Sequence, residues 1–256
     1  EAYIMKLCRA ANEKETFYAQ IEGDVLKRLS GDLFNEPRFD GREYPLSEIR
    51  LLAPVMPSKI VCLGKNYVDH AMEVDEVIPD EPLLFLKPPS SVIDPESEIL
   101  WPKQSRRVDF EAELAVVIGK TCKDVQLGEA SKVIFGYTCL NDVTARDLQG
   151  RDGQWTRSKS FDTFCPIGPW IETELDPNNL RVQSRLNGTI KQDASTASLI
   201  FDVDKLVHFI TQVMTLVPGD IIATGTPAGI GPMRHGDIVE VEVQGIGILR
   251  NKVIKP

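Results

Sequence analysis

Apolar residues fall along this chain in short runs that favour strands over helices. Ile60-Val61-Cys62-Leu63 and Leu83-Leu84-Phe85-Leu86 are continuous apolar runs of strand length. Each is stopped by a polar or proline-rich turn, Gly64-Lys65-Asn66-Tyr67 and Lys87-Pro88-Pro89-Ser90-Ser91. Residues 133–140 predict a further strand ending at Asn141-Asp142, and 181–190 a hairpin strand running into the Asn187-Gly188 turn. Ile221 to Thr224 reads as a strand entering Gly225-Thr226-Pro227-Ala228-Gly229-Ile230-Gly231. Ile238 to Val243 alternates apolar with acidic side chains, and Ile246 to Val253 closes the chain. Ser198 to Leu216 shows sustained helical spacing, through Leu199, Val203, Leu206, Phe209, Ile210 and Val213, before Pro218-Gly219-Asp220 stops it. A shorter helical stretch follows Tyr67 through His70 and Glu73.

The first fifty residues have a different texture. Phe17, Ala19 and Ile21 alternate before Glu22-Gly23-Asp24, Val25 to Leu29 suits a strand or a short helical turn, and Gly31, Pro37, Gly41 and Pro45 punctuate the rest. Pro54 and Pro57 mark a linker. The expected organisation is a small β-rich module over 1–54 and a larger domain over 55–256. Met5-Lys6-Leu7 reads as a natural start, so Glu1 to Ile4 are set aside. Thr144 to Phe164 is polar and glycine-containing, too long for a simple connector, and predicts a partly ordered lid or binding loop. The fold class is α+β and β-rich, with few helices. A Rossmann arrangement fails because strands and helices do not alternate.

One stretch organises the chemistry. Arg107 to Ile118 alternates with period 2, placing Phe110, Ala112, Leu114 and Val116 on one face and Asp109, Glu111, Glu113 and Ala115 on the other. Three carboxylates side by side repel one another, and burying them unpaired is expensive. A hard divalent cation with oxygen ligands resolves the conflict. So does a wet edge strand whose acids face water.

Bulk properties narrow the classes. The chain has 256 residues, 42% of them hydrophobic, enough for one sizeable core. A formal charge of −9 argues against nucleic acid and against acidic membrane surfaces. No apolar run reaches membrane-spanning length. Five scattered cysteines without paired spacing read as reduced thiols rather than disulfides or a zinc site.

Several constellations carry candidate chemistry, each beside a plainer alternative. His70 and Glu73 share a helix face, and the carboxylate can orient the imidazole as a general base; the same spacing suits an ordinary surface pair. Of the other histidines, His208 reads as structural and His235 as an exposed turn residue. Asp142, at a strand end, makes with Glu111 and Glu113 a three-carboxylate set suited to octahedral Mg²⁺ or Mn²⁺; alternatively Asn141-Asp142 is a turn or cap. Gly225 to Gly229 lacks the Lys-Ser/Thr ending of a phosphate loop, which removes nucleotide binding. It can still offer backbone N–H groups and the Thr226 hydroxyl to an anion, or be a plain turn. Lys65, Lys87, Arg146 and Lys159 suit carboxylate substrates, though each also fits a solvated charge.

In order and spacing these pieces resemble the fumarylacetoacetate hydrolase family from about Ile60 to Val253. The carriers are Gly64 to Glu73, Phe85 to Pro88, Val108 to Leu114, Asn141 to Asp147, Lys159 to Pro169, and Thr224 to Gly229. The resemblance implies a rolled, sandwich-like sheet core and a divalent metal, Mg²⁺ or else Mn²⁺ or Ca²⁺, on Glu111, Glu113 and Asp142. It implies His70 and Glu73 as the catalytic pair of the acylpyruvase-like branch, Lys159 beside metal and substrate, and Gln149 and Thr226 on substrate oxygens. Lys65 and Arg146 are the further substrate-binding candidates, and Asp109 is left either to support the metal ligands from behind or to pair with an arginine such as Arg107. The short N-terminal module matches the compact, mostly bacterial branch or its mitochondrial relatives. A homodimer is implied, in the cytoplasm, or in the mitochondrial matrix for a eukaryotic source. The expected activity is hydrolysis of a carbon–carbon bond in 2,4-dioxo acids through a pyruvate enolate, on a small anionic keto-acid substrate. The alternatives are a 2-hydroxyhepta-2,4-diene-1,7-dioate isomerase or decarboxylase, or an oxaloacetate decarboxylase. A non-catalytic dicarboxylate-binding protein is disfavoured by the intact Glu111, Glu113, Asp142, His70 and Glu73.

Overall fold

The computed structural model describes residues 5–73 and 78–255, so the Glu1 to Ile4 stretch lies outside it. Among these residues strands dominate, as the short apolar runs predict. Ten strands form one continuous path: Arg38–Pro45, Val25–Ser30, Thr16–Glu22, Lys6–Ala11, Cys165–Glu172, Ile134–Asn141, Ala112–Ile118, Ile221–Ala223, Ile60–Gly64 and Leu83–Lys87. Arg50–Leu52 joins it on Lys6–Ala11, and Val92–Ile93 on Cys165–Glu172. The first fifty residues therefore hydrogen-bond directly into the main sheet, with Lys6 opposite Glu172. A second sheet runs Thr189–Ser195, Arg181–Leu186, Ile238–Val243, Gly247–Ile254 and Glu98–Leu100. The hairpin between its first two strands turns at Asn187 (φ 52°) and Gly188 (φ 78°), the left-handed pair an Asn-Gly turn supplies.

The Ala112–Ile118 strand is covered on both faces. Leu114, Val116 and Ile118 pack with Val182, Val241, Leu206 and Ile210, while Ala115 and Val117 pack with Ile60, Ile167 and Ile221. Double cover explains why the whole strand is buried. It also removes the wet-edge alternative, since Asp109, Glu111 and Glu113 are at most 4% exposed.

Three sequence expectations change in detail. The Arg107 to Ile118 strand is two strands, Val108–Phe110 and Ala112–Ile118, broken at Glu111, whose N–H donates to the Asn141 side chain (3.0 Å). The long helix is confined to Val203–Val213: Leu199 bridges to Tyr67, and Asp202 caps the helix by accepting from the Lys205 N–H (2.9 Å). The polar 144–164 stretch is largely ordered, with Thr144–Ala145 in a strand followed by helices Arg146–Asp152 and Thr156–Lys159. The five cysteines are buried and unpaired. No helix of the described residues is long and apolar enough to cross a membrane.

Candidate active site

Antiparallel pairing assembles the acidic centre. Ala112 stands opposite Asn141, so Glu111 and Asp142 are the next cross-strand neighbours, tied by the Asp142 N–H on the Glu111 carbonyl (2.8 Å). Glu113 lies two residues from Glu111, on the same side. One oxygen from each of Glu111, Glu113 and Asp142 lies within 4.8 Å of the others.

Buried cations surround two of these acids. Lys159 Nζ donates to Glu111 Oε2 (2.8 Å) and to Asp142 Oδ2 (2.5 Å). Lys87, fully buried, donates to Asp142 Oδ1 (2.6 Å) and to the Val143 carbonyl (3.2 Å). Arg146 spends three of its five N–H groups inside the protein, on Asp109 Oδ2 (3.0 Å), Gln149 Oε1 (2.6 Å) and Glu111, and still lines the cavity. Asp109 also accepts from Arg107 (2.9 and 3.0 Å), the pairing expected from sequence.

Electrostatics separate the three carboxylates. Burial raises Glu111, but Lys159 and Arg146 outweigh it and hold the carboxyl well below the usual range. Burial would lower Lys159, yet Asp142 and Glu111 keep it raised and charged. Glu113 goes the other way: burial, then the neighbouring Asp142 and Glu111, push it well above its ordinary value. Its Oε2 accepts the Gly225 N–H (2.8 Å), and no cation among the described residues pairs with it. A buried carboxylate on which burial and acidic neighbours outweigh the Lys159 charge, beside two more oxygen donors, fits a hard divalent ion.

Glu111, Glu113, Arg146 and Lys159 line a cavity of about 240 Å³ with Leu63, Gly64, Lys65, His70, Phe85, Gln149, Gly150, Trp155 and Thr226, while Asp142 lies behind its wall. Lys65 enters it with left-handed backbone (φ 57°). His70 sits on the Val68–Glu73 helix, 7% exposed, with Nδ1 3.2 Å from Glu73 Oε2. Glu73 Oε1 accepts the Gly229 N–H (3.0 Å), so the glycine-rich loop holds the acid that holds the histidine. Thr226 lines the cavity, but its hydroxyl donates to the Ala112 carbonyl (2.8 Å) and accepts from Gln192 (2.7 Å). That proton is committed inward. His208 is tied to the Val125 carbonyl (2.7 Å), and His235 accepts the Lys255 N–H (3.0 Å) at the surface.

Sequence reading missed four participants. Asn66 is a buried knot: it donates to the carbonyls of Thr224 (2.8 Å) and Phe201 (3.0 Å) and accepts the Phe201 N–H (2.8 Å), joining two loops of the site. Gly225 (φ +100°) packs against it so closely that a Cβ would lie 2.8 Å from Asn66 Cβ. Phe85 and Trp155 meet edge to face (5.2 Å) as an apolar wall, and Gln192 is the fourth. The Gly-Lys-Asn-Tyr turn and the aromatic residues are visible in the sequence, but their partners are seventy or more residues away.

The family model described as fumarylacetoacetate (FAA) hydrolase C-terminal matches residues 59–254, and one described as Rv2993c-like, N-terminal, matches 5–54. Oxaloacetate tautomerase FAHD2A, mitochondrial, of Bos taurus is 44% identical over 82% of this chain and 71% of its own. The solved 2-hydroxyhepta-2,4-diene-1,7-dioate isomerase of Mycobacterium marinum is 46% identical, with TM-score 0.92 over 98% of both chains. Maleylpyruvate hydrolase of Sphingobium sp. SYK-6, solved with manganese(II) and pyruvate, is 31% identical, with TM-score 0.83 over 98% of this chain and 99% of that one. By sequence, fold and the acidic centre at its core, this chain belongs to the fumarylacetoacetate hydrolase family.

Proposed function

We propose that this chain is a divalent-metal-dependent enzyme acting on small 2-oxo dicarboxylates, and that it moves a proton at the carbon beside the keto group. This is enol–keto or dienol interconversion, of the tautomerase and isomerase kind. The observation that carries the reading is His70, held by Glu73 through Nδ1, on the same small cavity as Glu111, Glu113 and Lys159. Tautomerase and isomerase relatives stand at 44% and 46% identity and hydrolases at 36% and 31%, which favours proton transfer over the carbon–carbon hydrolysis expected from sequence.

A divalent ion on Glu111, Glu113 and Asp142 would supply the positive charge that polarises the substrate's 2-oxygen and stabilises charge developing there. The protein's own groups do the rest. With Nδ1–H directed at Glu73, His70 presents Nε2 as the base. In the keto-to-enol direction Nε2 takes a proton from C3, the electron pair moves toward the 2-oxygen, and that oxygen is then protonated. The reverse direction returns the proton to C3, and nothing is consumed. Lys159 adds fixed positive charge beside the same oxygen. Gln149 spends its oxygen on Arg146, so its amide N–H groups remain to receive a substrate carboxylate. Trp155, Phe85 and Leu63 exclude water from the apolar side, and about 240 Å³ limits the substrate to a few carbons.

Carbon–carbon hydrolysis of a 2,4-dioxo acid is the second reading, favoured by the likeness to maleylpyruvate hydrolase. There His70 would take its proton from water, which then attacks C4. Three assays separate the two, each with and without EDTA: oxaloacetate enol–keto conversion, double-bond migration in 2-hydroxyhepta-2,4-diene-1,7-dioate, and pyruvate release from acetylpyruvate. The expected result is EDTA-sensitive proton transfer, lowered about 10²- to 10⁴-fold by His70→Ala while Mn²⁺ still binds. Faster pyruvate release would establish the second reading, and near-normal turnover of His70→Ala would remove the dyad from both.

A further inference from the structure

Gln192 is the one fully buried residue of the Thr189–Ser195 strand, and it is polar. It does not line the cavity. Its Oε1 accepts the Ala112 N–H (3.0 Å), and its Nε2 donates to Thr226 Oγ1 (2.7 Å) and to the Pro227 carbonyl (2.7 Å). Thr226 Oγ1 closes the ring by donating to the Ala112 carbonyl (2.8 Å). The Ala112 amide can only donate and the Pro227 carbonyl can only accept, so the orientation of the carboxamide is forced. Ser184 Oγ fixes the Gln192 backbone in turn, accepting its N–H (3.2 Å).

Ala112 is the residue between Glu111 and Glu113. On one side it pairs with Asn141. On the other, the Ile221–Ala223 strand reaches only residues 115 to 117 of the ladder. Beyond its end Thr224 bonds the Leu114 carbonyl (2.9 Å), Gly225 the Glu113 carboxylate (2.8 Å) and Thr226 the Ala112 carbonyl. The Ala112 N–H would be left without an acceptor at full burial, a costly omission. Gln192 fills that gap and holds the loop that fills the rest.

We propose that Gln192 is a positioning residue for the cation site: through the Ala112 backbone it fixes the spacing of the Glu111 and Glu113 carboxylates, and through Thr226 and Pro227 the loop beside them. The proposal rests on the reading that these carboxylates hold a divalent ion. Groups that orient metal ligands without touching the metal are worth about 10- to 100-fold in affinity. A merely structural hydrogen bond would lower the melting temperature and leave cation affinity unchanged well below it.

The test is Gln192→Met, which keeps the length of the side chain and removes both donors and the acceptor. Mn²⁺ affinity by titration calorimetry, melting temperature, and deuterium exchange over residues 110–114 and 224–228 are compared with the unaltered protein. The expected result is Mn²⁺ binding weakened about 10- to 100-fold, with protection lost in both segments. Mn²⁺ affinity within twofold of the unaltered protein overturns the proposal. Should Gln192→Met fail to fold, Thr226→Val opens the same ring and is read the same way. Absence of Mn²⁺ binding to the unaltered protein would defeat the metal reading instead. The exchange data then decide: unchanged protection over 110–114 overturns the role of Gln192, and lost protection sustains it as the clamp on that strand.

Discussion

The Lys159 ammonium lies 2.5 Å from Asp142 Oδ2 and also reaches Glu111, so one buried lysine bridges two of the three carboxylates of the site. The proposed mechanism gives it two functions, counter-ion and electrophile, and one substitution separates them. Lys159→Met removes a positive charge that repels a divalent ion, so Mn²⁺ affinity should hold or tighten. It also removes charge stabilisation from the reacting oxygen, so turnover should fall about 10²- to 10³-fold, the usual loss for such a group. Calorimetry and the oxaloacetate assay read the two effects separately. If Mn²⁺ affinity instead drops with turnover, Lys159 acts mainly as a strut for Asp142.

Glu113 gives a pH dependence whose sign can be worked out. Burial and its acidic neighbours raise its carboxyl above the unfolded value. A group raised in this way contributes stability below its unfolded pKa and loses it as pH rises through the folded pKa. The metal-free protein should therefore become less stable over that rise, and Glu113→Gln should raise its melting temperature at neutral pH. A cation must displace the Glu113 proton, so Mn²⁺ affinity should increase with pH until that proton is gone. Calorimetry in buffers of different ionisation enthalpy would detect the released proton. A Glu113→Gln protein that still gains thermal stability from Mn²⁺ would take Glu113 out of the ligand set.

Much of this arrangement was legible because its signals are local. The period-2 run put Glu111 and Glu113 on one face, the strand end exposed Asp142, and i, i+3 spacing joined His70 to Glu73. Periodicity could not show that the acidic strand is covered on both sides, because burial depends on Val182, Val241 and Leu206, which arrive from later in the chain. The helix was overextended because Leu199 carries helical spacing yet serves a bridge to Tyr67. Arg146 and Thr226 have the chemistry of substrate contacts, but the Thr226 hydroxyl is committed to Ala112 and three of the five Arg146 N–H groups to Asp109, Gln149 and Glu111, a fact of tertiary geometry. Gln192 sits in a strand whose other residues are exposed or half-buried, and nothing around it in the sequence marks it as buried.

Gly64 ends the Ile60–Gly64 strand directly beneath Trp155, and a Cβ there would lie 2.5 Å from Trp155 Cζ3 and 3.2 Å from Leu83 Cδ2. The Trp155 carbonyl accepts the Lys159 N–H (3.0 Å) and the Ser158 hydroxyl (2.8 Å), so displacing the indole drags the short helix that carries Lys159. The Lys159 ammonium also stands 5.0 Å over the Phe85 ring, which the indole meets edge-on. Gly64→Ala should therefore cost about 1–3 kcal/mol of stability through overpacking. It should lower turnover about 10- to 100-fold, because misplacement of a catalytic group by about 1 Å carries a penalty of that order. Trp155 fluorescence, isolated by replacing Trp101 and Trp170 with Phe, should shift as the indole moves toward solvent. Trp155→Phe in the Gly64→Ala background relieves the clash and should recover part of the lost turnover. No recovery would show that Gly64 acts on the cavity directly rather than through Trp155.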